Sequence, residues 1–295
     1  MAMIIWKLVA NPHYQPITRK SFLRKVIRIV GGLVGLGIGA GVYGYAWERD
    51  ALQVERLSVT LSGLPKSFTG TKLVHFSDVH LGHFLELQDL QRLVDRIMAE
   101  QPDMICFTGD LVDEDTRVLA LAVPILSQLQ APLGKYAVLG NHDYRAREQM
   151  AVRNAWAASG FEVLDNRNVP VTKNDEKLYI AGVDDVLHGA PNMRQALTAI
   201  PEGQTVILLA HEPDFADEAA NHPVQLQLSG HSHGGQVRLP LIGHLLTPKL
   251  ARKYVQGMYR VGNHSMQVYT NRGIGTTILP VRFFCRPELT VLTLL

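Results

Sequence analysis

Cysteine is scarce in this sequence: two among 295 residues, Cys106 and Cys285, make no disulfide framework. A single bridge between them stays open, but Cys106 sits in the apolar run Met104-Ile105-Cys106-Phe107, where a thiol serves as a small buried hydrophobe. Acidic residues are missing altogether from residues 1–47, which carry Lys7, Arg19, Lys20, Arg24, Lys25 and Arg28. The whole chain stands at +2, so without those six cations the remainder stands at −4. The basic balance belongs to the tail, and nothing implies a nucleic-acid-binding domain. The sequence shows no internal repeat, no bias towards disorder, and no linker that would split residues 48–295. No feature calls for an obligate protein partner.

Charge is also absent from residues 29–47. As a helix this stretch would rise ~28 Å, close to the roughly 30 Å of a bilayer's hydrocarbon core. Gly31, Gly32, Gly35, Gly37, Gly39, Gly41 and Gly44 dilute its hydrophobicity and its helix propensity. Just before it, Thr18-Arg19-Lys20-Ser21-Phe22-Leu23-Arg24 resembles the twin-arginine export motif, with Lys20 where the second arginine is expected. Gly44-Tyr45-Ala46 is a poor cleavage site. We therefore expect residues 29–47 to be an uncleaved transmembrane anchor. The cations preceding it assign residues 1–28 to the cytoplasm as a basic tail and residues 48–295 to the extracytoplasmic side. Export after cleavage and a body on the cytoplasmic face are the alternatives.

From Leu57 onward, short apolar runs alternate with amphipathic stretches. Strands are expected over 72–76, 103–107, 136–139, 178–182, 206–210, 225–228, 236–239, 266–270 and 289–294. Helical spacing joins Leu87, Leu90, Val94, Ile97 and Met98, and helices are also expected over 118–129 and 148–159. Strand–helix alternation followed by closely spaced strands describes a layered α/β domain with mixed sheets.

The residues able to bind metal fall almost entirely where strands end. They are Asp78-x-His80, Gly109-Asp110, Gly140-Asn141-His142-Asp143, His211 and Gly230-His231-x-His233. Ligands of open α/β sheets bind beyond the carboxyl ends of the strands, so these positions can converge. Asp78, His80, Asp110, Asn141, His211, His231 and His233 form a mixed oxygen and nitrogen set. That set suits Mn²⁺, Zn²⁺ or Fe, and suits neither a structural zinc nor a calcium loop. Seven ligands exceed what one ion takes while keeping room for water. Two divalent metal ions are therefore expected, with Asp110, midway in the set, bridging them.

These five motifs, in this order, resemble the calcineurin-like metallophosphoesterase superfamily, across roughly residues 70 to 295 and closest to its bacterial membrane-associated phosphodiesterase branch. The resemblance implies a four-layer α/β/β/α sandwich with mixed sheets, behind the anchor helix. It implies one metal on Asp78, His80, Asp110 and His233, and a second on Asp110, Asn141, His211 and His231. It gives His142 the place of a general acid beside the leaving oxygen. Arg272, in Asn271-Arg272-Gly273, is a possible contact for a substrate phosphate.

The serine/threonine phosphatases of that superfamily use Gly-Asn-His-Glu and an Arg-Gly after the bridging aspartate. Here Gly140-Asn141-His142-Asp143 and the acidic Asp113-Glu114-Asp115 argue against a phosphoprotein substrate. A phosphodiesterase is expected, using a metal-activated hydroxide on a small-molecule or lipid-linked phosphoester. Pyrophosphate hydrolysis in a UDP-diacylglucosamine-type lipid is the alternative, with a cyclic-nucleotide phosphodiesterase or a non-catalytic binding protein behind it. Apolar residues 241–246, flanked by Lys249, Arg252 and Lys253, are a candidate contact for a bilayer or an anionic head group.

Overall fold

The computed structural model describes residues 18–145 and 148–295, so most of the expected basic tail, Lys7 included, lies outside the described residues. Contacts divide the chain into two units at Tyr43 and Gly44. Helix α1 (Arg19–Ala46) begins in the first and ends in the second, and its large apolar side chains from Phe22 to Val42 stand exposed. Among the described residues it is the one helix long and apolar enough to cross a membrane, judged by length and composition.

The second unit is built on two six-stranded sheets. One has the order β1-β14-β2-β3-β4-β5, from β1 (Gln53–Val59), β2 (Lys72–Phe76), β3 (Met104–Thr108), β4 (Lys135–Val138), β5 (Glu162–Val163) and β14 (Glu288–Leu294). The other has the order β12-β13-β9-β8-β7-β6, from β6 (Arg167–Lys173), β7 (Glu176–Gly182), β8 (Val206–Leu209), β9 (Leu226–Ser229), β12 (Gly257–Arg260) and β13 (Gln267–Thr270). Parallel pairs dominate, while β14 runs antiparallel to β2, β6 to β7, and β12 to β13. A two-residue hairpin, β10 (Arg238–Leu239) with β11 (Gly243–His244), stands apart.

Alternation along the strands makes the layers. Val74 and Phe76 of β2, with Ile105 and Phe107 of β3, face helices α2 (Leu87–Ala99), α3 (Leu119–Leu126) and α5 (Gln149–Ala158). Leu73, Met104, Cys106 and Val138 point the other way and meet Ile180, Ile207, Leu209 and Leu228 between the sheets. Tyr179, Ala181, Val206 and Leu208 cover the far face with the short helices α6 (Met193–Ala196) and α7 (Ala216–Ala219). The result is the expected α/β/β/α order, and the short helix α4 (Asn141–Arg145) follows β4. Helix α2 shows why such elements form. Leu90, Leu93, Val94 and Ile97 recur on one face, and Glu86 and Asp89 cap each other's backbone N–H groups at its start. Gln101, in the left-handed region at φ 53°, turns the chain away after its end.

Several expectations change. The strand expected over 236–239 shrinks to the hairpin, and β1, β5, β6 and β12 were not foreseen. Those four are the edges of the two sheets. Edge strands show one side to water and lack a continuous apolar run; β6 even holds Pro170, which an edge tolerates. Both cysteines are free and buried, so the open pairing is not made.

Candidate metal centre

Every turn that carries a candidate donor leaves the C-terminal end of a strand in the middle of a sheet. The turns after β2 and β3 are zipped together: Asp78 N donates to Gly109 O at 2.9 Å and Val79 N to Asp110 O at 2.8 Å. Asp78, His80, Asp110, His231 and His233 all have positive φ, between 48° and 66°. Non-glycine residues rarely adopt this conformation, at ~1–2 kcal/mol each, and such strain collects at functional sites. Glycines clear the space between turns. A Cβ at Gly140 would overlap Asp110 Oδ1, and one at Gly230 would overlap Asp78 Oδ2.

The seven candidate donors converge. His80 Nε2 lies 3.1 Å from His233 Nε2 and 3.6 Å from Asp110 Oδ2, and His233 Nε2 lies 3.4 Å from Asp78 Oδ1. On the other side, His211 Nε2 lies 3.2 Å from Asp110 Oδ2, 3.2 Å from Asn141 Oδ1 and 3.2 Å from His231 Nδ1. Asp110 Oδ2 thus touches both groups.

The protonation pattern shows what the cluster fits. His211 Nδ1 is 2.7 Å from the Thr108 carbonyl, and His231 Nε2 is 2.9 Å from the Lys249 carbonyl. A carbonyl only accepts, so those ring nitrogens carry the hydrogens. His211 Nε2 and His231 Nδ1 are then lone pairs facing each other and two further acceptor oxygens. His80 repeats the arrangement, donating from Nδ1 to Asp113 Oδ1 at 3.0 Å and turning the lone pair of Nε2 inward. Acceptors crowded on acceptors in a buried site repel unless a cation lies between them, so the residues present fit divalent metal.

Charge tells the same story. Burial opposes ionisation of Asp110, yet His211, His142 and His80 around it hold its carboxyl well below the usual carboxylate range. Burial, with the charge of Asp110, pushes Asp78 up. Burial, reinforced by His211, lowers His231 to about 3, and burial with His80 drives His233 well below the ordinary histidine value. Both rings are therefore neutral, the form that binds metal. Burial also works against a charged His211, but Asp110 beside it raises it well above the ordinary value.

His142 stands at the rim, half-buried. Its backbone N donates to Asp110 Oδ1 at 2.8 Å, its Nδ1 lies 3.0 Å from Asp113 Oδ1, and its Nε2 lies 3.1 Å from Arg145 Nη1. Arg272 is committed elsewhere. Its Nη2 lies 2.9 Å from Glu55, and its Nε lies 2.6 Å from Glu288, an ion pair whose angle falls short of a hydrogen bond.

Sequence reasoning overlooked two residues. Asp113 was read as acidic repulsion, but its carboxylate orients His80 and His142. Asp143 was part of a motif without a role; it accepts the backbone N–H groups of Asp110, Leu111, Val112 and Gly140 at 2.9–3.2 Å, pinning the bridging turn. The Asx-type habit of aspartate in turns was the available signal. The Thr108 and Lys249 carbonyls left none.

Fold and donor set together define a layered α/β hydrolase that works with divalent metal. The calcineurin-like phosphoesterase pattern matches residues 71–235, and the chain belongs to that family. It is 38% identical over 283 residues to the uncharacterized metallophosphoesterase YkuE of Bacillus subtilis (strain 168), covering 94% of this chain and 98% of that one. It is 32% identical over 267 residues to a Danio rerio transmembrane protein with metallophosphoesterase domain, covering 86% of this chain but only 60% of that protein. Phosphodiesterase YaeI of Escherichia coli (strain K12) is 29% identical over 285 residues, 94% of this chain and 99% of the relative.

Proposed function

We propose that this metallophosphoesterase is a binuclear phosphodiesterase, held at a membrane by α1 and acting on a small or lipid-linked phosphodiester. One observation carries the reading. Asp110 Oδ2 sits 3.6 Å from His80 Nε2 and 3.2 Å from His211 Nε2, at the meeting of two lone-pair groups. Asp78, His80 and His233 would complete one ion's shell with it, and Asn141, His211 and His231 the other's. When bound, Mn²⁺, Zn²⁺ or Fe ions supply Lewis acidity and a water of lowered pKa for attack on phosphorus.

The remaining work falls to the protein's own groups. Asp113 holds the His142 ring through Nδ1, so Nε2 accepts from Arg145; once Arg145 turns to a phosphate oxygen, that nitrogen is free to take a proton and pass it to the leaving oxygen. Arg145, next to that nitrogen, is a cation within reach of a phosphate oxygen. After the bridging aspartate the chain reads Leu111-Val112-Asp113, without the Arg-Gly of the serine/threonine phosphatases, which favours a diester over a phosphoprotein monoester. The name of the Escherichia coli relative supports the same preference. Arg19, Lys20, Arg24, Lys25 and Arg28 at the start of α1 favour an extracytoplasmic body.

The test is hydrolysis by the full chain in detergent, stripped of metal and reloaded with Mn²⁺, Zn²⁺, Fe²⁺ or Mg²⁺. Bis(p-nitrophenyl) phosphate and p-nitrophenyl phosphate are compared, with Asp110→Asn as control. Metal-dependent diester cleavage that the substitution abolishes is expected. A folded, metal-loaded protein that cleaves only the monoester would overturn the diester reading.

A further inference from the structure

Two loops beside the metal centre leave large apolar side chains in water. Leu241, Ile242, Leu245 and Leu246 belong to the β10–β11 hairpin and its continuation, and Ile278 and Leu279 to the neighbouring loop. Leu246 and Ile278 are 82% and 83% exposed. The loops form one surface. Arg238 N donates to Phe283 O at 2.8 Å, and the Gln236 side chain donates to the carbonyls of Thr277 and Leu279 at 3.2 and 2.8 Å. Six exposed aliphatic side chains on two hydrogen-bonded loops are more than a soluble surface ordinarily tolerates.

Gly44 indicates what covers this face. It is the first residue of the folded unit, and its carbonyl accepts Arg282 N at 3.2 Å. A Cβ there would lie 2.5 Å from Arg282 O, so the chain enters the body in close contact with the 278–284 loop. Arg282 is itself fixed: its guanidinium donates to the carbonyls of Arg272, Gly273, Gly275 and Cys285. Exposed Tyr45 and Trp47 follow Gly44, the residue types that settle at a membrane–water interface, and charge resumes at Glu48. With α1 in a bilayer, the lipid surface begins within a few residues of the apolar loops.

We propose that the 241–246 and 278–279 loops are a second membrane contact, which inserts into the bilayer surface and holds the metal centre against it. Apolar insertion supplies most of the attraction. Of the three neighbouring cations, Lys253 is already paired with Asp217 at 2.6 Å, leaving Lys249 and Arg252 for anionic head groups. The same loop walls the site: His231 Nε2 donates to the Lys249 carbonyl, and a Cβ on Gly235 would lie 3.1 Å from Leu246 O. Docking therefore presents the rim of the centre to the head-group layer. The contact rests on α1 being in the membrane; its corollary, a phosphoester whose apolar part stays in the bilayer, rests also on the catalytic reading.

The test uses the full chain at one copy per lipid nanodisc of phosphatidylcholine with a minority of phosphatidylglycerol. Ile242→Cys carries an environment-sensitive fluorophore, the two native cysteines being buried. Glu202→Cys, exposed in the turn before β8 and so at the other end of the strands from the centre, is the reference. Lipid-borne nitroxide should quench the 242 probe several-fold more than the 202 probe, with aqueous iodide showing the reverse. Adding Leu241→Asp and Leu246→Asp should return the 242 probe to the reference level. A 242 probe quenched by iodide and not by lipid overturns the proposal. So does one shielded from both, which would mean that protein covers the loops. Neither readout depends on catalysis, so failure here is distinguishable from failure of the diester assay.

Discussion

Replacing Asp113 by asparagine removes one negative charge behind His80 and His142 while keeping the size of the side chain. Its Oδ1 receives both rings, 3.0 Å from His80 Nδ1 and 3.0 Å from His142 Nδ1. Burial opposes charge on Asp113, but these two imidazoles hold its carboxyl far below the usual range, so the contacts are charge-assisted. Such a hydrogen bond is worth roughly 1.5–3 kcal/mol, about 10- to 100-fold in an equilibrium constant. Asparagine keeps a neutral acceptor oxygen in place, so Asp113→Asn should weaken metal binding about tenfold. Asp113→Ala, which strips the partner from His80 Nδ1 and leaves His142 Nδ1 only the main-chain carbonyl of residue 113 at 3.3 Å, should approach 100-fold. The same loss of orientation at His142 should lower kcat measured at saturating metal. Competition with a fluorescent chelator reads the first effect, and steady-state diester hydrolysis the second. If both variants fold and keep metal affinity and kcat within about twofold of the parent, Asp113 does not orient these rings, and His80 Nε2 is not held inward as a lone pair.

Two further predictions concern the scaffold. Burial alone lowers His75 to about 3, so the folded protein holds it neutral while the unfolded chain takes up a proton near pH 6.5. Its stability contribution is whole above about 6.5 and is lost towards pH 3 at ~1.4 kcal/mol per unit. In urea titrations with chelator, the parent should lose ~2 kcal/mol from this residue between about pH 6.5 and 5, and His75→Leu should lose that much less; equal losses would refute it. Gly44→Val should destabilise the folded body by ~1–3 kcal/mol, because its side chain must displace the Arg282 main chain. Gly41→Val, with open space around its Cβ position, should not, and equal melting temperatures for the two variants would contradict the seating of Gly44.

Much of this architecture was legible in the sequence because central strands are covered on both faces. Runs such as Lys72–Phe76 and Val206–Leu209 read as continuous apolar segments, and each ends at a residue able to bind metal. That pattern alone located Asp78, His80, Asp110, Asn141, His211, His231 and His233. The four edge strands escaped because none carries a run of buried apolar residues: β1 and β6 are mostly polar and half-buried, and β5 and β12 are only two and four residues long. For Arg272, only a possible phosphate contact from its place after β13, the sequence held no sign that Glu55 and Glu288 reach its guanidinium from β1 and β14.

Residue type and spacing thus determined which donors exist and which strand ends hold them, since both follow from local backbone periodicity. Tertiary structure decided how each donor is used. Only packing the two sheets together brings the Thr108 carbonyl to His211, and only the folding-back of the loop after β11 brings the Lys249 carbonyl to His231; these contacts set which nitrogen of each ring keeps its lone pair. Only packing turns Asp113 from a repelling charge into the partner of two imidazoles. Direction and distance between residues far apart in the chain fix these roles, and no local pattern encodes them.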